Sequence, residues 1–454
     1  MNKYLSTIVL LSILTGTAQL HAQNLQAAPR LVVNITIDQL RTDYIEHFSS
    51  LYGEDGFKKI LKQGKVYEAA SYPFAPVDRA SAIASIFTGT TPHYNNIVGS
   101  KWIDRASLRP VTCTDDATSS ASPQRLSTST INDELKIFTR GAAIVYSVAK
   151  DKDAAILSGG HAADGALWMN NQTKLWTTST FYPKGAQGIA RTYNNSVNTR
   201  SADDNDNVTD MAMACIDNMG MGKDNVTDML SITLSAKGKN EDLSWQTEME
   251  IVYLKLDKTI GSIIKRIEDK VGADNVMFMF TSTGYVDEQQ PDYQKFHIPS
   301  GTFYINRTAD LLNMYLGAIY GQAQYVLTCF NNEIYLDRKL IEQRHISFTD
   351  VVVRSKELLV QTSGVRNVLS SPYNPSVSGD LVIETLPGWQ IVNENTNETF
   401  FSRAAFVPFP IILYGGGIKP EHVTTPVTVD RIAPTIAKAI RIRAPNACST
   451  EPLH

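Results

Sequence analysis

Asp38, Arg79 and Thr283 fall where a catalytic centre falls in an α/β protein. Asp38 sits within the apolar run "LVVNITIDQL" (31–40), and Thr283 ends "NVMFMFTST" (275–283). Both runs read as buried strands of a mostly parallel sheet, and such sheets bind ligands beyond the C-terminal ends of their strands. Arg79 opens a helix in "FAPVDRASAIASIFTGTTP" (74–92), where Ile83, Ile86 and Phe87 recur at helical spacing and Asp78 or Ser81 supplies the cap. A helix N-terminus is the positive end of its dipole and favours anions. A guanidinium there therefore calls for a partner.

Other chemistries find little support. The histidines beyond residue 21 are His47, His93, His161, His297, His345, His422 and His454, and they lie far apart. There is no HExxH, no GxSxG and no GxxxxGK[ST]. His161 in "SGGHAADGALW" reads as a structural histidine, and Trp168 and Trp176 read as core aromatics of a cap.

Apolar strands alternate with helices along the chain. "DYIEHFSSLYGEDGFKKILKQG" (43–64) reads as helix, turn, helix, and "AAIVYSVAKDKDAAILSG" (142–159) as two short apolar runs. "DMLSITLSA" (228–236) reads as a strand, "WQTEMEIVYLKLDKTIGSIIKRIEDKVG" (245–272) as a long amphipathic helix, and "FPIILYGGGI" (409–418) as a late strand. That order predicts an α/β fold, a mostly parallel central sheet sandwiched between helices. The polar stretches 104–124 and 170–225 predict a smaller cap insertion.

The chain has 454 residues, 43% hydrophobic and 19% charged, with a formal charge of -4. This argues against nucleic acid or a membrane surface as the main partner. Residues 1–22 read as a cleavable signal peptide ahead of one domain, 23–454, so a periplasmic or secreted location is expected; no stretch is long and apolar enough for a permanent membrane span. Cys113, Cys215, Cys329 and Cys448 permit two disulfides in an oxidising compartment or four free thiols.

The blocks "LVVNITIDQLRTDYI", "SIFTGTTPHYNNIVGSKWIDR", "SVAKDKDAAILSGGHAADGALWMN" and "PIILYGGGIKPEHVTTPVTVDRIAPTIA", in this order, give the sequence a resemblance. It resembles the alkaline phosphatase superfamily, in its bacterial periplasmic phosphodiesterase/nucleotide pyrophosphatase-like branch. The resemblance implies an α/β core with a cap, two zinc ions, six metal ligands and a Thr or Ser nucleophile. It places Asp38 at the first ligand position and Arg79 at the nucleophile position. Gly238 and Asp242, Thr283 and Gly284, and Pro408 hold the remaining ligand positions, with Asp242 as a weak substitute. The family's substrate-anchoring positions fall on Ser100, Lys150 and Lys152, which makes these three the candidate anion site.

One retained ligand of six implies a catalytically degenerate centre. The expectation is therefore an exported pseudoenzyme with a binding or scaffolding role, no cofactor, and an Asp38–Arg79 ion pair in place of metal. Its partner would be an anionic small molecule or an envelope protein. The alternatives are a zinc-dependent phosphoric ester hydrolase with a relocated site (Ser81 or Thr283 as nucleophile, Asp38 and Asp242 on one metal) and a subunit of a cell-envelope assembly.

Overall fold

The computed structural model describes residues 27–196, 201–238, 243–287, 297–370, 374–401, 403–404 and 407–454. The expected signal segment and Asp242 lie outside them.

Leu31–Asp38 forms a strand buried along its whole length. It lies inside a ten-stranded sheet. Asp228–Ser235 and Val276–Ser282 flank it, both parallel, with Asp38 opposite Ser235 and Ile37 opposite Ser282. Outward on one side follow Val145–Ala149, Gly165–Met169 and Trp176–Thr177; on the other follow Phe409–Gly415, Lys65–Ser71 and Glu421–Val423. Phe409–Gly415 alone among the inner strands runs against both neighbours. Leu31, Val33, Ile35 and Ile37 feed one apolar core and Val32 the other, so the sheet is covered on both faces. This is the arrangement that the near-continuous apolar strands demand.

The long helix Trp245–Val271 covers the first face through Tyr253, Leu256, Ile260, Ile263 and Ile267. On the other face lie the helices Arg79–Thr88 and Lys152–Gly159, packed against each other. Both begin at the C-terminal edge of the sheet, which brings their first turns to the end of the Asp38 strand.

The segments expected as a cap divide differently. Within 104–124 the chain forms part of a hairpin, Lys101–Asp104 with Arg109–Thr112. Segment 170–225 folds onto the main body: its helices Lys184–Ser196 and Asp204–Met219 send Ala186, Ile189, Val208 and Met211 into the first core. A smaller unit with its own apolar core, including Leu312, Leu316, Ile334, Val351 and Leu381, is built instead by residues 301–401. It carries the helices Ile305–Tyr320 and Phe348–Leu359 and one four-stranded and one three-stranded sheet. All four cysteines are free thiols, so neither possible disulfide is formed.

Candidate functional site

The central strand stops at Asp38, and the chain turns away through Gln39 with φ +63°. Thr283 follows the last residue of the neighbouring strand and reaches across this end. Its hydroxyl donates to Asp38 Oδ1 at 2.8 Å and accepts the Gln39 N–H at 3.0 Å. Thr283 is wholly buried and Asp38 nearly so. Burial pushes the Asp38 carboxyl above the usual carboxylate range, against the opposing pull of the Arg79 guanidinium and of hydrogen bonds from Thr283 and Tyr285.

Arg79 is the first residue of its helix, behind a capping box in which Asp78 accepts the Ser81 N–H at 2.9 Å and the Ser81 hydroxyl accepts the Asp78 N–H at 3.0 Å. The expected Asp38–Arg79 ion pair is not made. Arg79 instead grips the start of the adjacent helix. Its Nε and Nη2 donate to Asp153 at 3.2 and 2.9 Å, and its Nη1 lies 3.0 Å from Asp151 Oδ2. Asp151 is the N-cap residue of Lys152–Gly159 but makes no side-chain cap bond, so its carboxylate is available to Arg79. Two carboxylates on the next helix out-compete one at the strand end because a guanidinium presents a planar fork to them. Asp38 feels Arg79 only through the field.

Two of the three anion-site candidates, Ser100 and Lys150, are engaged by acids in the same neighbourhood. The Ser100 hydroxyl donates to Asp153 Oδ2 at 3.1 Å, while its N–H goes to Asp78 at 2.7 Å. Lys150 pairs with Asp204 at 2.6 Å. Lys152, on the first turn of its helix, has no ion-pair partner among the described residues. Gly284 adopts φ +68° with the rings of Tyr72 and Phe409 against its Cα. Gly238 lies beside Glu248, and Pro408 is exposed, its carbonyl accepting the Thr42 N–H at 2.9 Å. The sequence reading missed Asp151, Asp153, Tyr72 and Tyr285. The two aspartates stand in "KDKD" between and after the lysines, and the tyrosines carry no sequence signal beyond being aromatic.

His161 is structural, as its sequence context suggests. Nδ1 lies 3.0 Å from Asp133 and Nε2 3.0 Å from the Leu126 carbonyl, so both ring nitrogens face acceptors. Burial alone would lower its pKa, but the Asp133 carboxylate outweighs burial and raises it above 6.5. A raised histidine stabilises the fold fully below the unfolded value near 6.5 and loses that contribution as pH rises through the folded value. The expected result is a thermal midpoint that falls between pH 6 and pH 9 more steeply in the wild type than in His161→Phe, as read by calorimetry.

A family model described as type I phosphodiesterase / nucleotide pyrophosphatase matches residues 32–405. Alkaline phosphatase PafA of Elizabethkingia meningoseptica is 26% identical over 536 aligned positions, spanning 98% of each chain. That alignment is longer than this chain, so the phosphatase carries segments that this chain lacks. Alkaline phosphatase PhoV of Synechococcus elongatus is 25% identical and spans 92% of this chain and 91% of its own. The crystal structure of PafA superposes with a TM-score of 0.80 at 24% identity, over 94% of this chain and 98% of that one. Murine ectonucleotide pyrophosphatase / phosphodiesterase 5 superposes at 0.58 with 11% identity, over 91% and 95%.

These matches correct the expectation that no cofactor belongs to this protein. The match spans nearly the whole chain and lies in a family of metal-dependent hydrolases, so a metal is the expectation that the family sets. The residues present were tested against such a site. Among the described residues, no group of three His, Cys, Asp or Glu side chains is placed to hold an ion. Asp38, at the end of the central strand, accepts the Thr283 hydroxyl on one oxygen. The described residues therefore do not by themselves fit a zinc pair, and no chemical step is derived through one.

Proposed function

The chain belongs to the type I phosphodiesterase / nucleotide pyrophosphatase family, and from that premise we propose that it is an exported member with a binding or scaffolding role, whose phosphoryl-transfer centre has been rebuilt as a fixed charge network that does not turn over. Arg79 carries this reading. At the position that the family gives to a hydroxyl nucleophile stands a guanidinium held by Asp151 and Asp153. A guanidinium stays protonated and cannot accept a phosphoryl group. The neighbourhood is also acidic. The Arg79 guanidinium is already engaged by Asp151 and Asp153, so its charge is not offered to a phosphate dianion.

The test is hydrolysis of p-nitrophenyl phosphate and bis(p-nitrophenyl) phosphate by the purified full chain, with zinc and with chelator. Release at the uncatalysed rate in both conditions is the expected result. Zinc-dependent turnover abolished by chelation would overturn the proposal.

One observation favours a second reading, an active hydrolase with a relocated nucleophile. The Thr283 hydroxyl donates to a carboxylate whose pKa is raised, which is the pairing that a base-activated hydroxyl uses. The reading requires an opening, because Thr283 and the other hydroxyl considered, Ser81, are both wholly buried. Turnover that is lost in Thr283→Ala would favour it.

A further inference from the structure

A cavity of about 290 Å³ opens between the hairpin Lys101–Asp104, the loop around Arg125 and the smaller unit's segment at Ser376. It is close to the size of a small-metabolite site and lies at a junction between units, where such sites concentrate. Two arginines line it. The Arg125 guanidinium lies 5.7 Å from the centre of the Trp102 ring, and its Nε is buried without a hydrogen-bond partner. Arg125 makes no ion pair or side-chain hydrogen bond among the described residues. Arg105 also has a buried, unpartnered Nε, although its Nη2 is engaged with the Ser378 carbonyl at 2.6 Å and with Asp380 at 3.1 Å.

The lining includes one acid, Asp104, whose Oδ1 accepts the Ser107 N–H at 2.8 Å and its hydroxyl at 2.7 Å. Those hydrogen bonds hold the Asp104 carboxyl below the usual range, so it stays charged. Asp380 is shared by Arg105 and Arg338, and Asp104 is held by Ser107 within the field of Arg125. The lining therefore carries two cations and one anion, and of these only Arg125 has neither an ion pair nor a side-chain hydrogen bond among the described residues. Gln124, Ser127 and Ser376 add amide and hydroxyl groups around it.

Half-buried arginines without partners are uncommon, because each unpaired polar group taken from water costs free energy that a ligand can return. A guanidinium selects carboxylate or phosphate, and the amide and hydroxyl lining suits a hydroxylated molecule. We propose that this cavity is a binding site for a small hydroxylated organic anion, such as a sugar acid or a sugar phosphate, held by Arg125 at the junction of the two units. The site is separate from the Arg79 network and does not depend on whether that network turns over.

Calorimetric titration of the full chain with glucuronate, glucose 6-phosphate and glucose tests this. Saturable binding of one or both acids is expected, with glucose at least about tenfold weaker for want of the charge-assisted bonds. Arg125→Gln is expected to weaken the acid by about tenfold or more, and Ser376→Trp, at an exposed position, to block it by filling the cavity. The preferred acid distinguishes a carboxylate ligand from a phosphate ligand. Glucuronate has no phosphate ester to hydrolyse, so its result stands whatever the phosphatase assay gives. If Arg125→Gln fails to fold, Ser376→Trp decides alone. Absence of saturable binding by both acids, binding equal to that of glucose, or binding undiminished in the variants that fold would overturn the proposal.

Discussion

Arg79→Met is expected to lower stability by about 2–3 kcal/mol, read as a shift in the urea midpoint at pH 8. Removing one partner of a buried ion pair typically costs about 3–5 kcal/mol, because the other charge is left unpaired. The lower end applies here because Arg79, Asp151 and Asp153 side chains keep 25%, 34% and 11% exposure, so water screens what remains. Three carboxylates would then stand together: Asp38, Asp151 and Asp153. In the wild type, burial already raises Asp38 and Asp151, with Arg79 pulling against it. Without Arg79 their pKa values rise further above the unfolded value of 3.8. Groups whose folded pKa is raised favour folding at low pH and oppose it at high pH. The loss is therefore smaller at pH 5 than at pH 8. Arg79→Met combined with Asp153→Asn is expected to cost less than the sum of the two single changes, since it removes a charge along with its partner. A midpoint unmoved by Arg79→Met would mark the arginine as an ordinary surface residue.

Parts of this centre are legible from the chain itself. The central strand Leu31–Asp38 is apolar enough for burial on both faces, and helix Trp245–Val271 repeats its apolar residues at the helical period; both lie within the segments expected for them. Arg79 was visible as an anomaly, a cation at the positive end of a helix. Its partner is not legible locally, because the choice between Asp38 and Asp151 with Asp153 depends on how two helices pack, and Lys152–Gly159 is placed by burial of Ala154, Ala155, Ile156 and Leu157 rather than by charge. Thr283 meets Asp38 because Ser282 pairs in register with Ile37, one residue earlier in each strand. Both strands are buried on both faces, so no apolar/polar alternation marks their register in the sequence. The smaller unit escaped notice for a similar reason. Its strands are mostly four to six residues long, for example Val326–Phe330 and Glu333–Leu336, and their burial does not alternate cleanly.

Gly284→Ala is expected to cost about 2–5 kcal/mol, for two separable reasons. The residue sits at φ +68°, where a Cβ brings strain of about 1–2 kcal/mol. A Cβ there would also lie 2.5 Å from the Tyr72 ring and 2.7 Å from the Phe409 ring. Overpacking of this kind costs roughly 1–3 kcal/mol. Tyr72 cannot move aside freely, because its hydroxyl donates to the Ser282 carbonyl at 2.8 Å and its ring packs on Phe74 and Phe409. Gly238 makes the contrast. A Cβ there would lie 2.4 Å from the carboxyl end of Glu248, the far end of a flexible side chain rather than a ring, and the backbone is not left-handed, so Gly238→Ala is expected to cost less than Gly284→Ala. Of these two glycines, only Gly284 has an aromatic pair closed over its backbone. Tyr72→Leu in the Gly284→Ala background should recover the Tyr72 share of the steric part and leave the Phe409 contact and the dihedral part, so denaturant midpoints of the two single variants and the double variant isolate the Tyr72 contribution. Full recovery in the double variant would mean that backbone conformation contributes nothing, and a Gly284→Ala protein as stable as the wild type would mean that the rings do not seal this position.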